Sequence, residues 1–179
     1  MHDSPQHIGD FRCYWRRSRT LLISISFLPE YAAICGITEE ELKENFKPEL
    51  KKLAESDRRI IFTGFVQGKT LDELYSNAYV YVLPSDLEGM PLSLLEAMSY
   101  GNCCLVSDIA ECAEVVEDKA VVFKKSDVED LREKLQECCF NGKRVEEYKE
   151  NAADFICRKY VWDRAAEKTV GLYGGKRKK

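Results

Sequence analysis

One apolar run and the segment behind it narrow the folds open to this chain. Tyr79-Val80-Tyr81-Val82-Leu83 reads as a strand buried on both faces. A turn punctuated by Gly89 and Pro91 follows, and Leu92-Ser93-Leu94-Leu95-Glu96-Ala97-Met98 then takes up helical spacing. A buried strand feeding a helix through a short loop is the repeating unit of a parallel α/β sheet. The same alternation recurs on both sides of it. Upstream, Ser18–Leu28 is an apolar segment of helical character stopped by Pro29, and Tyr31–Gly36 is a strand. Thr38 caps a helix that carries Glu39-Glu40-Glu41 in its first turn and reaches about Ser56. Arg59–Val66 is β-branched and reads as a strand, and Thr70-Leu71-Asp72-Glu73 is a capping box opening the next helix. Downstream come a strand at Cys103–Val106, a short helix around Ala113–Glu117 and a strand at Ala120–Phe123. A helix capped by Ser126-Asp127 runs through Cys139, and two more cover about 143–159 and 162–173. The prediction is an α/β fold, a doubly wound parallel sheet in three α/β/α layers with right-handed crossovers.

A chain of 179 residues suits one domain. Residues 1–17 form an irregular segment, 18–173 the folded body and 174–179 a basic tail. Charges of both signs are mixed to a net −4, which gives no electrostatic case for nucleic acid. The run Lys176-Arg177-Lys178-Lys179 has no apolar anchor in its immediate sequence, so membrane contact is at most peripheral. Leu21–Leu28 falls well short of the roughly 20 residues that span a bilayer. It follows Arg16, Arg17 and Arg19 without a clean cleavage site behind it, and the expected location is the cytoplasm. The eight cysteines contain no Cys-x-x-Cys pair, and His2 and His7 both lie in the irregular segment, so no metal site is expected. Cysteines set among apolar residues, as in Asn102-Cys103-Cys104-Leu105-Val106, read as small buried hydrophobes; a reactive thiol would lack a nearby His to activate it.

The loop after residues 79–83 carries the chemistry. Ligands of open α/β sheets bind beyond the carboxyl ends of the strands. Pro91 fits a helix start, Gly89 permits close backbone approach, and the amides around Met90, Leu92 and Ser93 form a positive end suited to phosphate or a sugar oxygen. Glu96, on the same helical face as Leu92, can accept two hydrogen bonds from a vicinal diol such as a ribose. Glu88 stands at the mouth, where sugar hydroxyls would meet it. Other readings remain open. Ser85-x-x-Glu88 also matches a capping box, although Gly89 and Pro91 would break that helix at once. Glu96 fits a solvated helix face, and the two acids fit the flanks of a glycosidic bond in a hydrolase.

Pro84–Gly101, with its Glu-x7-Glu spacing, resembles the signature of family 4 retaining glycosyltransferases of the GT-B fold. Arg59–Val66, Leu74–Ala78, Val106-Ser107-Asp108 through Val116, and Tyr160-Val161-Trp162-Asp163 resemble that family's neighbouring segments in the same order. The likeness covers about residues 30–173. It implies a Rossmann-like domain, the donor-binding half of a GT-B enzyme, that takes a nucleoside-diphosphate sugar as substrate without metal or other cofactor. It implies hexose transfer to a hydroxyl acceptor (glycan, lipid or small molecule) with retained configuration. By the same resemblance Glu96 binds the ribose, Glu88 lies beside the donor sugar, and Gly89, Met90, Pro91 and Leu92 contact sugar or diphosphate. Gly64 and Val66 line the base pocket. Tyr75 and Trp162 read as packing residues, the usual place of aromatic side chains.

Two parts of the family pattern are missing. The acceptor domain with its histidine is absent, and the strand and Arg/Lys pair expected at about 10–20 are scrambled, so that Arg17, or Arg16 beside it, takes the leaving-group cation's place by position. The expectation is a chain weakly active or inactive alone, needing an N-terminal acceptor domain or partner chain. A non-catalytic assembly module pairing with such a chain is the alternative.

Overall fold

The computed structural model describes residues 21–23 as backbone, then residues 51–52, 54–55, 57, 59–63 and 66–174. Among these, four parallel strands lie side by side in chain order: β1 (Leu21–Ile23), β2 (Val80–Leu83), β3 (Cys104–Ser107) and β4 (Val121–Phe123). The register sets Leu22 against Tyr81, Val82 against Leu105, and Val106 against Val122. Helix α1 (Lys69–Asn77) precedes β2, α2 (Leu92–Ser99) joins β2 to β3, and α3 (Ala110–Val116) joins β3 to β4. Helices α4 (Val128–Phe140), α5 (Gly142–Lys159) and α6 (Trp162–Gly174) complete the chain.

Strand side chains alternate between faces, and two cores result. Tyr81, Leu83, Cys104 and Val106 pack with Leu94, Ala97 and Met98 of α2, Cys112 and Val116 of α3, and Ala152 and Ile156 of α5. Val80, Val82, Cys103, Leu105, Val121 and Phe123 pack with Leu135 and Cys138 of α4 and Val145 of α5. The sheet is thus sandwiched between helices, the three-layer Rossmann-like α/β/α arrangement expected from the sequence, with α5 long enough to serve both cores.

The ends of the helices explain their lengths. Asp127 accepts from the Asp130 amide at 3.0 Å and Asn141 from the Arg144 amide at 3.2 Å, so α4 and α5 each begin on a side-chain cap. Helix α2 stops in a Schellman turn: Gly101 N–H donates to Met98 O at 2.9 Å and Asn102 N–H to Ala97 O at 3.2 Å. Gly101 holds φ at +74°, a conformation that costs other residues strain. The buried Asn102 side chain then donates to Tyr75 O at 2.9 Å and Ala97 O at 3.0 Å, tying the end of α1 to the end of α2. Lys149 of α5 adds a bond to Ala78 O at 3.1 Å, a cation at the carboxyl end of α1.

Four local readings differ from the structure. Residues 21–23 are strand rather than helix, because β2 supplies the backbone partners of a parallel ladder. Residues 59–63 lie in no strand, and Ile61 is 78% exposed: β-branched composition makes no strand without a neighbour to pair with. Helix α1 starts on Gly68 with no side-chain cap, so the capping box at Thr70 does not form. Trp162 is 89% exposed rather than packed, as every described side chain of α6 is exposed. The strand read at Tyr31–Gly36 and the helix start at Thr38 lie outside the described residues.

Leu94 fastens α2 into the core. Leu94→Ala should lower the denaturant midpoint, read by circular dichroism, by the equivalent of about 2–5 kcal/mol. Ile61→Ala should stay within about 0.5 kcal/mol.

Candidate functional site

The polar groups that the buried strands exclude gather beyond their carboxyl ends. Strand β2 runs into the loop 84–91, and that loop is held at several points. Ser107, the last residue of β3, donates from its hydroxyl to the Ser85 carbonyl. Ser126, in the turn after β4 with φ +59°, donates to Asp86 Oδ1 at 2.9 Å. Within the loop, Ser85 Oγ donates to Glu88 Oε1 at 2.6 Å. At the next strand end the Lys125 amide donates to Asp108 Oδ1 at 2.7 Å. Three neighbouring strand ends therefore share one polar edge, with Glu88 at its centre.

Glu88 is only 6% exposed. It sits near Cys112 of α3: burial first, then the Glu88 and Glu111 carboxylates, push the Cys112 thiol up to about 12 against the opposing effect of the Ser107 side chain. Glu96 lives in a different setting. It stands on the exposed side of α2, and its Oε2 accepts from Tyr75 OH at 3.3 Å. Tyr75 OH also lies 3.4 Å from Ser93 O, while Tyr81 OH donates to Ser93 Oγ at 2.9 Å. Burial above all, then the neighbouring Tyr81 and Glu96, raises the Tyr75 phenol far beyond its ordinary range, so it keeps the one proton that Glu96 Oε2 and Ser93 O share.

Between the two acids the backbone is tightly folded. Pro91 is the buried N-cap of α2, at φ −74°. Leu92 N–H turns back to Met90 O at 2.8 Å, so this amide is occupied, contrary to the sequence-based expectation. The amides of Gly89, Met90 and Ser93 have no acceptor among the described residues. Met90 and Leu92 expose their side chains, and nothing lies within 4 Å of where a Cβ on Gly89 would stand. Val66 is half-buried ahead of α1. Gly64 and Arg17 lie outside the described residues.

The structure thus places Glu88, Gly89, Met90, Pro91, Leu92 and Glu96 on one loop–helix unit at the carboxyl edge of the sheet. It gives the two carboxylates no contact with each other. The hydroxyls of Ser85, Ser107, Tyr75 and Tyr81 also belong to this edge; the sequence reads Ser85 only as a capping pattern and Tyr75 only as packing, and assigns Ser107 and Tyr81 no role here. A polar residue closing an apolar strand, as Ser107 does, is the signal that was available; buried tyrosines also require partners for their hydroxyls.

Residues 31–155 match the family described as Glycosyl transferases group 1. The chain belongs to that family. It is 30% identical over 117 residues to an uncharacterised glycosyltransferase of Methanocaldococcus jannaschii, a match covering 64% of this chain and 30% of that protein. It is 32% identical over 168 residues to the sulfoquinovosyl transferase of Arabidopsis thaliana, covering 90% of this chain and 31% of that protein. The match therefore spans under a third of the length of either relative. In structure it is similar to a mutant of TarM from S. aureus solved with UDP: TM-score 0.69 at 20% identity, over 97% of this chain and 38% of that one. At that identity the likeness speaks for the fold, which is that of a GT-B glycosyltransferase part. Among the described residues no helix is long and apolar enough to cross a membrane, and no group of three or more His, Cys, Asp or Glu is placed to hold a metal.

Two outcomes follow for this edge. Ser85→Ala leaves the buried Glu88 carboxylate without its donor and should cost about 1–3 kcal/mol of stability in denaturant titration. Iodoacetamide at pH 8 should alkylate the exposed Cys157 well before Cys112, whose thiol stays protonated there, with peptide mapping by mass spectrometry as the readout.

Proposed function

We propose that this chain binds a nucleoside-diphosphate sugar for retaining glycosyl transfer to a hydroxyl acceptor, acting as the donor-binding part of a larger catalytic unit. The observation that carries the reading is the pairing, on one loop–helix unit, of a buried carboxylate at Glu88 with an exposed one at Glu96 across unpaired amides. Glu96 accepts from the two ribose hydroxyls. Glu88, fixed by Ser85, lies beside the donor sugar. The free amides of Gly89 and Met90, at the entry to α2, meet the sugar or the diphosphate. Pro91 and Leu92 shape that entry. Gly89 needs no small residue for the protein's own packing, which fits a backbone kept bare for a ligand. Val66 and Gly64 border the base, and Arg17 is proposed to stand near the leaving diphosphate.

Family membership and the chemistry of the relatives support this reading. The Arabidopsis relative is a sulfoquinovosyl transferase, and the S. aureus structure holds UDP. Leaving-group stabilisation is the large term in such transfer. An acceptor domain or partner chain completes the cleft, and the acceptor is a glycan, lipid or small-molecule hydroxyl.

Calorimetry with UDP, GDP and their hexose conjugates tests the proposal. One of these nucleotides should bind, and Glu96→Ala should lose at least about tenfold in affinity with the circular dichroism spectrum unchanged, the loss expected for a charged hydrogen-bonding partner. Gly89→Ala should weaken binding without changing the melting temperature. Absence of binding to any of them by folded protein would sink the donor-site reading.

A further inference from the structure

A core tyrosine could be replaced by phenylalanine at no chemical loss unless its hydroxyl has a task. Tyr75 is 5% exposed, yet its hydroxyl reaches the exposed face of α2 and meets the Glu96 carboxylate. Its ring is fixed on two sides: stacked on Tyr100 with centroids 5.4 Å apart and 25° between planes, and tilted at 50° to Tyr81 at 6.0 Å. Tyr100 is itself held, its hydroxyl donating to Asp72 Oδ1 at 2.6 Å. The backbone is fixed too. The Asn102 amide that binds Tyr75 O also binds Ala97 O, the carbonyl next to Glu96. One buried side chain therefore sets the distance between the donor and the helix that bears the acceptor.

We propose that Tyr75 is a positioning residue for the ribose-binding carboxylate: its hydroxyl engages Glu96 Oε2 and leaves Oε1 and the remaining lone pairs turned to a vicinal diol. The inference rests on the donor-site reading above. A free Glu on a helix surface samples several rotamers, and ordering such a side chain costs up to about 2 kcal/mol. A donor already in place removes part of that cost before the ligand arrives. A phenol suits the task better than a cation would. It brings no charge to neutralise the carboxylate, which stays acceptor-only toward the sugar hydroxyls. Tyr75 also retains its proton across the physiological range, since burial first and then nearby Tyr81 and Glu96 raise its phenol. The hydroxyl's second neighbour, Ser93 O at 3.4 Å, offers the competing role of merely bracing α2.

The full chain is titrated with UDP and GDP and with the 2′,3′-dideoxy form of each. Wild type should prefer the ribose form of whichever nucleotide binds. In Tyr75→Phe that preference should shrink about fivefold, the equivalent of one net hydrogen bond, with affinity for the dideoxy form unchanged. In a Glu96→Ala background, Tyr75→Phe should have no further effect. Tyr75→Met, which fills similar space without a hydroxyl, gives the same reading where the phenylalanine variant does not fold. Equal weakening of both sugar forms, or no change in either, overturns the positioning role and leaves the donor site standing. A folded wild type that binds neither nucleotide overturns both.

Discussion

Every residue of β2 and β3 is buried, and helices close both faces of the sheet around them. No water reaches the middle of such a strand, and an unpaired polar side chain there would cost several times what one hydrogen bond contributes. Polar groups are therefore driven to the strand ends. At the carboxyl edge Ser107 bonds Ser85, Ser126 bonds Asp86, and Asp108 takes the Lys125 amide. The loop before α2 takes its shape from this dry interior: it is pinned from the ends of two neighbouring strands as well as through its own chain.

The two carboxylates at that edge obey different physics. Glu88 is removed from water and held by a short bond from Ser85, so it has one position. Glu96 is solvated, and its bond to Tyr75 is long. Charged groups gain strength where water is excluded; an exposed one gains order from a donor already in place. Both acids nonetheless sit on a single strand–loop–helix unit.

Much of this was legible in the sequence because it is local. The runs at 79–83, 103–106 and 120–123 are apolar at every position, and the helix after Asp127 announces itself by a cap that does form. What escaped was tertiary. Residues 21–23 become strand through a partner 59 positions away, and 59–63 do not become strand despite their composition. At the site, the acids were visible through their spacing, but their partners were not. Ser85 and Glu88 were noticed only as a capping pattern and set aside because Gly89 and Pro91 follow. The pair exists all the same, side chain to side chain, with no helix around it. Tyr75 read as packing, which its ring is; the role of its hydroxyl depends on where α2 sits.

The Schellman turn at Gly101 has a meaning beyond ending a helix. Pro91 fixes where α2 begins, and Gly101, locked at φ +74° with Lys149 O 3.6 Å from its Cβ position, fixes where it stops. The nine residues between, eight of them helical, are a ruler clamped at both ends. Each residue of an α-helix advances the face by about 100°. One insertion or deletion in this stretch would swing Glu96 off Tyr75 or pull Asn102 off its carbonyls. What the turn forbids along α2 is a change in the number of residues, whatever their identity.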